Sequence, residues 1–69
     1  MSDQGRQIMA LFQLKDTLGV TDIAKATGMS PSTVSYQLDK LEKLELVKRT
    51  ASKKRQVTDL GLSVVEYLS

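Results

Sequence analysis

Hydroxyl, amide and ammonium side chains are concentrated after the Ser30-Pro31 pair, in a stretch whose leucines recur at helical spacing. An apolar stripe from Val34 to Leu44 would hold one side of such a helix against a core. The opposite side carries groups that can hydrogen-bond to base edges or to phosphates. The alternative is an ordinary solvated helix face. The candidates are Ser32, Thr33, Tyr36, Gln37 and Lys40.

A dense group of basic residues follows directly after this helix. Five positive charges and no negative ones lie within eight residues, which suits phosphate binding, although a charge run is often only a solvated surface. Narrow minor grooves attract ammonium and guanidinium groups, which favours Lys53 and Arg55 there. Asp39 is not a candidate, since phosphates repel a carboxylate unless it accepts from a cytosine amino group or orients a neighbouring lysine. The five basic candidates are Lys48, Arg49, Lys53, Lys54 and Arg55.

The composition excludes several kinds of chemistry. The chain has 69 residues with no Cys and no His, so zinc, haem and iron–sulfur sites, disulfides, and thiol or imidazole catalysis are not expected. No motif pairs two carboxylates as a catalytic site would, and we therefore expect neither an enzyme nor a metal or cofactor.

The charge is unevenly distributed along the chain. The net charge is +2, but residues 40–55 contain seven basic and two acidic residues, which gives +5, and the remainder gives −3. No apolar run approaches the roughly 20 residues that span a bilayer, and the first residues do not resemble a secretory signal. We expect a cytoplasmic, nucleoid-associated protein that makes no membrane contact.

Local signals predict a single domain over residues 1–69, with the first helix at its start. Ser2 or Asp3 can cap that helix, and its apolar spacing predicts that it runs to about Leu18. Gly19 then stands where a left-handed residue would end it.

The next two helices are predicted on either side of a tight turn. Val20 is expected to be an extended link, Thr21 the N-cap of a short second helix, and Gly28 its end. Ser30-Pro31 is a strong start signal for the third helix, because serine accepts from free N–H groups and proline suits the first helical position.

A hairpin and a last helix complete the predicted order. Residues 46–50 and 55–58 are short β-tolerant runs separated by a small polar stretch. Thr58 is expected to cap the last helix, whose inner face would hold Leu60, Val64, Tyr67 and Leu68. The other core candidates are Ile8, Leu11, Phe12, Ile23, Val34, Leu38, Leu41 and Val57.

The predicted fold is mainly α with a small β-hairpin, in the order α-α-α-β-β-α. Residues 21–43 form a helix, a turn and a longer helix, an arrangement that can place the second helix in a DNA major groove. Ordinary packing in a helical bundle is the alternative, since helix pairs of this kind are common. The basic hairpin beside the longer helix favours DNA binding.

The sequence resembles the winged helix-turn-helix core of MarR, ArsR and related transcriptional regulators. The resemblance covers residues 20–62 and is carried by Ser-Pro-Ser-Thr-Val at 30–34, Leu-x-x-Leu-x-x-x-x-Leu-Val at 38–47 and Thr-x-x-Gly at 58–61. Glu45 departs from the pattern, because many such domains have Gly there. A left-handed conformation at Glu45 would cost about 1 kcal/mol.

The resemblance implies sequence-specific binding of double-stranded DNA by a small transcriptional regulator. The 31–44 helix would lie in the major groove and the 48–55 wing on the backbone or minor groove. Such regulators usually read two half-sites, so we expect a homodimer through the first and last helices at Met9, Leu62 and Val65. The alternative is a winged helix that binds proteins within a larger nucleoprotein, replication or partition assembly.

Overall fold

A computed structural model describes residues 1–68 and has the predicted winged helix-turn-helix architecture, with one additional strand. The strands form a three-stranded antiparallel sheet in the order β1-β3-β2. The helices are α1 (Asp3–Leu11), α2 (Val20–Thr27), α3 (Pro31–Lys43) and α4 (Asp59–Leu68), and the strands are β1 (Thr17–Leu18), β2 (Val47–Arg49) and β3 (Arg55–Val57).

Helix α1 starts as predicted but ends much earlier. The Ser2 hydroxyl accepts from the Gly5 N–H at 3.1 Å and caps the helix. The prediction that the helix continues to Leu18 is wrong, since it ends at Leu11. Leu18 belongs instead to strand β1, next to a bond from the Val57 N–H to the Asp16 carbonyl at 2.9 Å. Pairing with a distant strand therefore overrides the local helical spacing.

The start of α2 also differs from its prediction. Gly19 has φ −93°, so it is not a left-handed stop but the N-cap of α2, and Val20 is the first helical residue rather than a link. Thr21 is therefore not the cap. The Gly19 N–H donates to Asp22 Oδ2 at 3.1 Å, as in a capping box. Gly28 ends α2 with φ +79°, as predicted.

Helix α3 begins where the sequence predicts. Ser30 is its N-cap and accepts from the Thr33 N–H at 3.2 Å, with Pro31 at the first helical position. Leu38 and Leu41 are buried, whereas Leu44 lies past the helix end and is exposed. Glu45 follows with φ +64°, the left-handed conformation for which glycine is the usual residue.

The hairpin forms a short wing with a three-residue loop. The Thr50 N–H donates to the Lys54 carbonyl at 3.0 Å, and the Lys53 N–H donates to the Thr50 carbonyl at 3.1 Å. Lys53 has φ +63°, which resembles three-residue hairpin loops that place a left-handed residue after the turn. The loop therefore closes without the Asn-Gly or Asp-Gly signal of the shortest hairpins.

Helix α4 is capped as predicted, but it is rotated relative to the expected inner face. Thr58 Oγ1 accepts from the Gly61 N–H at 3.0 Å. Gly61 and Val65 are buried, whereas Leu60, Tyr67 and Leu68, all expected on the inner face, are exposed. A β-carbon on Gly61 would collide with the Leu46 carbonyl oxygen, so α4 packs closely against the backbone of Leu46 at this glycine.

The rotation of α4 also contradicts the predicted dimer surface. Met9 is completely buried and Val65 nearly so, which leaves only Leu62 of the three proposed residues exposed. Both belong to the hydrophobic core, together with Ile8, Phe12, Leu18, Ile23, Val34, Leu38, Leu41, Leu46, Val47 and Val57.

Candidate nucleic-acid interface

The outer face of α3 presents part of the predicted polar set. Ser32 and Tyr36 are exposed, and Thr33 is half-buried. The Lys40 Nζ lies 4.8 Å from the centroid of the Tyr36 ring, at cation–π distance. The Thr33 hydroxyl accepts from the Ser30 hydroxyl at 3.0 Å. The exposed hydroxyl, aromatic and ammonium groups thus form one continuous strip, which we call the exposed strip of α3 (Ser32, Tyr36 and Lys40).

Gln37 does not belong to this strip. Its residue exposure is 6%, so the expectation that it faces a ligand is wrong for this structure. Gln37 Nε2 donates to Gln4 Oε1 at 3.0 Å, and Gln37 Oε1 accepts from the Ser2 hydroxyl at 3.2 Å. The amide joins α3 to the start of α1, because a buried polar group requires hydrogen-bond partners.

Three lysines are exposed on the wing. Lys48 lies on β2, and Lys53 and Lys54 lie at the loop. None of them forms an ion pair within residues 1–68. Their charges are available to an external anion, and contact with DNA stays a prediction for each.

The two wing arginines are held by carboxylates of α3, in what we call the arginine–carboxylate cluster (Asp39, Glu42, Arg49 and Arg55). Asp39 Oδ1 lies 3.4 Å from Arg49 Nη2 and 3.5 Å from Arg55 Nη2. Glu42 Oε1 lies 3.2 Å from Arg49 Nε and 3.4 Å from Arg55 Nε. Each carboxylate therefore bridges both strands of the wing.

Burial separates the two arginines of the cluster. The side chain of Arg55 is only 6% exposed, whereas that of Arg49 is 62% exposed. The expectation that Arg55 projects toward a minor groove is therefore wrong for this structure. Its guanidinium lies against Asp39 and Glu42, which supply the opposite charges that a buried cation needs.

Sequence reasoning missed the role of Asp39 and Glu42. Their spacing of three places them on one side of α3, but their partners depend on the hairpin register, which sets Arg49 opposite Arg55. Hairpin register cannot be read from these residues alone, since no turn signal fixes it. The usable signal was two acidic residues on a helix followed by a basic hairpin.

Residues 1–68 contain neither a membrane-spanning helix nor a cluster of metal-ligating side chains. No helix there combines the length and apolar character needed to cross a bilayer. Those residues also contain no group of three or more His, Cys, Asp or Glu side chains placed to hold a metal ion.

The fold is shared with solved MarR-type proteins. The MarR family protein from Bacillus stearothermophilus has a TM-score of 0.89 at 15% identity, covering 99% of this chain and 51% of that chain. Reduced MarR from E. coli has a TM-score of 0.90 at 13% identity, with 99% and 51% covered. These two likenesses establish the fold alone.

A third structure is more similar in sequence. MepR, a transcription regulator of the Staphylococcus aureus multidrug efflux pump MepA, is 33% identical with a TM-score of 0.81, covering 99% of this chain and 53% of that chain. The present chain thus spans about half the length of the solved structures it matches. A search of curated proteins gives no significant match.

A family model gives the assignment. The model for bacterial regulatory proteins of the arsR family matches residues 4–49, more than half of the chain, from α1 through α3 to β2. The matched segment contains the helix-turn-helix and the exposed strip of α3. The chain therefore belongs to the arsR family of bacterial regulatory proteins.

Proposed function

We propose that this chain binds double-stranded DNA sequence-specifically as a transcriptional regulator. In this proposal the exposed strip of α3 enters the major groove, and the wing loop lies on the backbone or in the minor groove. The observation that carries it is the position of three unpaired wing lysines beside a helix whose outer face bears Ser32, Tyr36 and Lys40.

The two elements suit different parts of a duplex. Hydroxyl and aromatic groups on a helix can distinguish base edges, whereas lysines bind any phosphate. Family membership supports the same assignment, because the matched segment contains the helix-turn-helix. With Arg55 buried and Arg49 paired, the predicted site cations left for phosphates are Lys40, Lys48, Lys53 and Lys54.

The proposal is tested by fluorescence anisotropy with a short labelled duplex over a range of salt concentrations. Release of counterions from about four phosphates gives a slope of log K against log salt of roughly −3 to −4 per chain. A slope near zero would contradict DNA binding and would favour a winged helix that binds protein. Selection of bound duplexes from a random pool then supplies the preferred sequence.

We also propose that two copies act together through α4. Regulators with a helix-turn-helix commonly read two half-sites as dimers. The buried Met9 and Val65 cannot contribute to such an interface, but Leu60, Leu62 and Tyr67 expose apolar surface on the last helix.

A further inference from the structure

Asp39 places a negative charge in the strip proposed to meet DNA. It lies three residues after Tyr36 and seven after Ser32, so all three share the outer side of α3, and its side chain is 55% exposed. A carboxylate there repels phosphates unless cations of the protein neutralise it. Asp39 is neutralised in this way by its ion pairs with Arg49 and Arg55.

The ion pairs of Asp39 with Arg49 and with Arg55 differ in how easily a phosphate can replace the carboxylate. Arg55 is buried on the central strand β3, so its guanidinium has no access to an external anion. Arg49 is on the outer strand β2 and mostly exposed, and ion pairs between exposed groups contribute little to stability. A phosphate oxygen can therefore compete with Asp39 for Arg49 but not for Arg55.

We propose that Asp39 limits the affinity of this protein for DNA by competing with phosphates for Arg49. This inference depends on the DNA binding proposed above. Arg55, fixed by Asp39 and Glu42, keeps the wing against α3, while Arg49 exchanges between the carboxylates and a phosphate. Asp39 is thus an affinity-determining residue that acts through a wing arginine.

The test compares Asp39→Asn with Asp59→Asn by anisotropy on a random duplex over a range of salt concentrations. Both variants remove one negative charge, and Asp59 is exposed and forms no ion pair within residues 1–68. Asp39→Asn should raise affinity about three- to tenfold at about 0.1 M salt and steepen the salt slope by up to about 0.9, because Arg49 then spends a larger fraction of its time on phosphate. Asp59→Asn should change either value little.

A background without the arginine separates exchange from simple repulsion. In Arg49→Ala protein, the added substitution Asp39→Asn should have no more effect than Asp59→Asn. An undiminished gain in that background would mean that Asp39 acts on DNA directly, and the inference would be wrong.

A measurement on the unsubstituted protein covers the case in which a variant does not fold. On addition of duplex, the NMR signals of the Arg49 guanidinium, whose Nη2 contacts Asp39, should shift while those of Arg55 stay in place. An unchanged Arg49 signal in a protein that does bind duplex overturns the inference alone. Failure of the unsubstituted protein to bind any duplex overturns the proposed function itself.

Discussion

Thr58 and Gly61 illustrate how single residues fix the position of an entire helix. Thr58 Oγ1 donates to the Glu45 carbonyl at 2.6 Å while accepting from the Gly61 N–H, and the Thr58 N–H donates to the Leu46 carbonyl at 3.0 Å. These bonds hold the start of α4 on the segment that leaves α3. The Thr-x-x-Gly motif is therefore a docking device for α4, in which threonine makes the bonds and glycine allows the close approach.

Gly61→Ala is expected to lower the free energy of unfolding by about 2–3 kcal/mol. The new β-carbon would meet the backbone of Leu46 and lie 2.6 Å from Val57 Cγ2, and the bonds of Thr58 prevent α4 from moving away. Urea denaturation followed by circular dichroism measures the change.

Gly5→Ala is the matched control for this prediction. The nearest atom to its added β-carbon is Cγ of the flexible Met1 side chain, at 2.9 Å, which can move. Alanine also favours helix over glycine by about 1 kcal/mol, so the net effect should be small. Equal losses for the two variants would contradict the role given to Gly61.

At the scale of elements, α3 and the wing have separate tasks in the proposed function, and the arginine–carboxylate cluster joins them. Leu38 and Leu41 hold α3 on the core, while Arg55 brings β3 against its outer turn. The wing loop extends beyond this junction and carries Lys53 and Lys54, which form no ion pair with any of the described residues, 1–68. Base recognition and phosphate binding should therefore respond to different substitutions.

The double variant Lys53→Ala, Lys54→Ala should weaken binding to all duplexes by similar factors and reduce the salt slope by about 1.8. Tyr36→Ala should instead change the preference among sequences selected from a random pool. Anisotropy on selected and random duplexes distinguishes the two patterns.

The matched control removes the same charge from another surface. Arg6→Ala with Lys15→Ala changes exposed residues of α1 and the turn after it, and should affect binding far less than the wing pair. Equal losses for both pairs would show that net charge, rather than wing position, governs binding. Loss of affinity without altered preference in Tyr36→Ala would contradict base recognition by α3.

At the scale of the whole molecule, the surface has two distinct regions. One holds the exposed strip of α3 and the wing lysines, and the other is the outer side of α4, where Leu60 and Tyr67 lie seven residues apart on one face. The first region is polar and cationic and suits a phosphate backbone, whereas the second is apolar and suits another protein surface.

Sedimentation equilibrium should give the mass of two chains for the unsubstituted protein, and Leu60→Glu should shift it toward one chain. A buried carboxylate without a partner would oppose association through α4. Leu14→Glu is the control, since Leu14 is exposed in the turn after α1, outside this face. An unchanged mass for Leu60→Glu would exclude α4 as the contact surface.

Local bonds explain what could be predicted from the sequence. Ser30 with Pro31, Gly28 and Thr58 each act within a few residues, through a cap or a left-handed conformation, and all four hold their predicted places. The exposed strip of α3 followed largely from helical spacing, for the same reason. Glu45 was also identified as a departure from the family pattern, and its φ is +64°, the left-handed conformation whose cost was considered for that position.

The sequence by itself determined the order of the main elements, the start of α3 and the charge of the wing. Tertiary structure decided where α1 ends, which side of α4 faces inward, and which cations remain available. The reason is physical. Strand β1 forms by pairing with β3, and the orientation of α4 is set by its close contact with Leu46. Arg55 lies against carboxylates that are 13 and 16 residues away in sequence. Such contacts join residues that are distant in sequence, so the spacing of residues along the chain does not predict them.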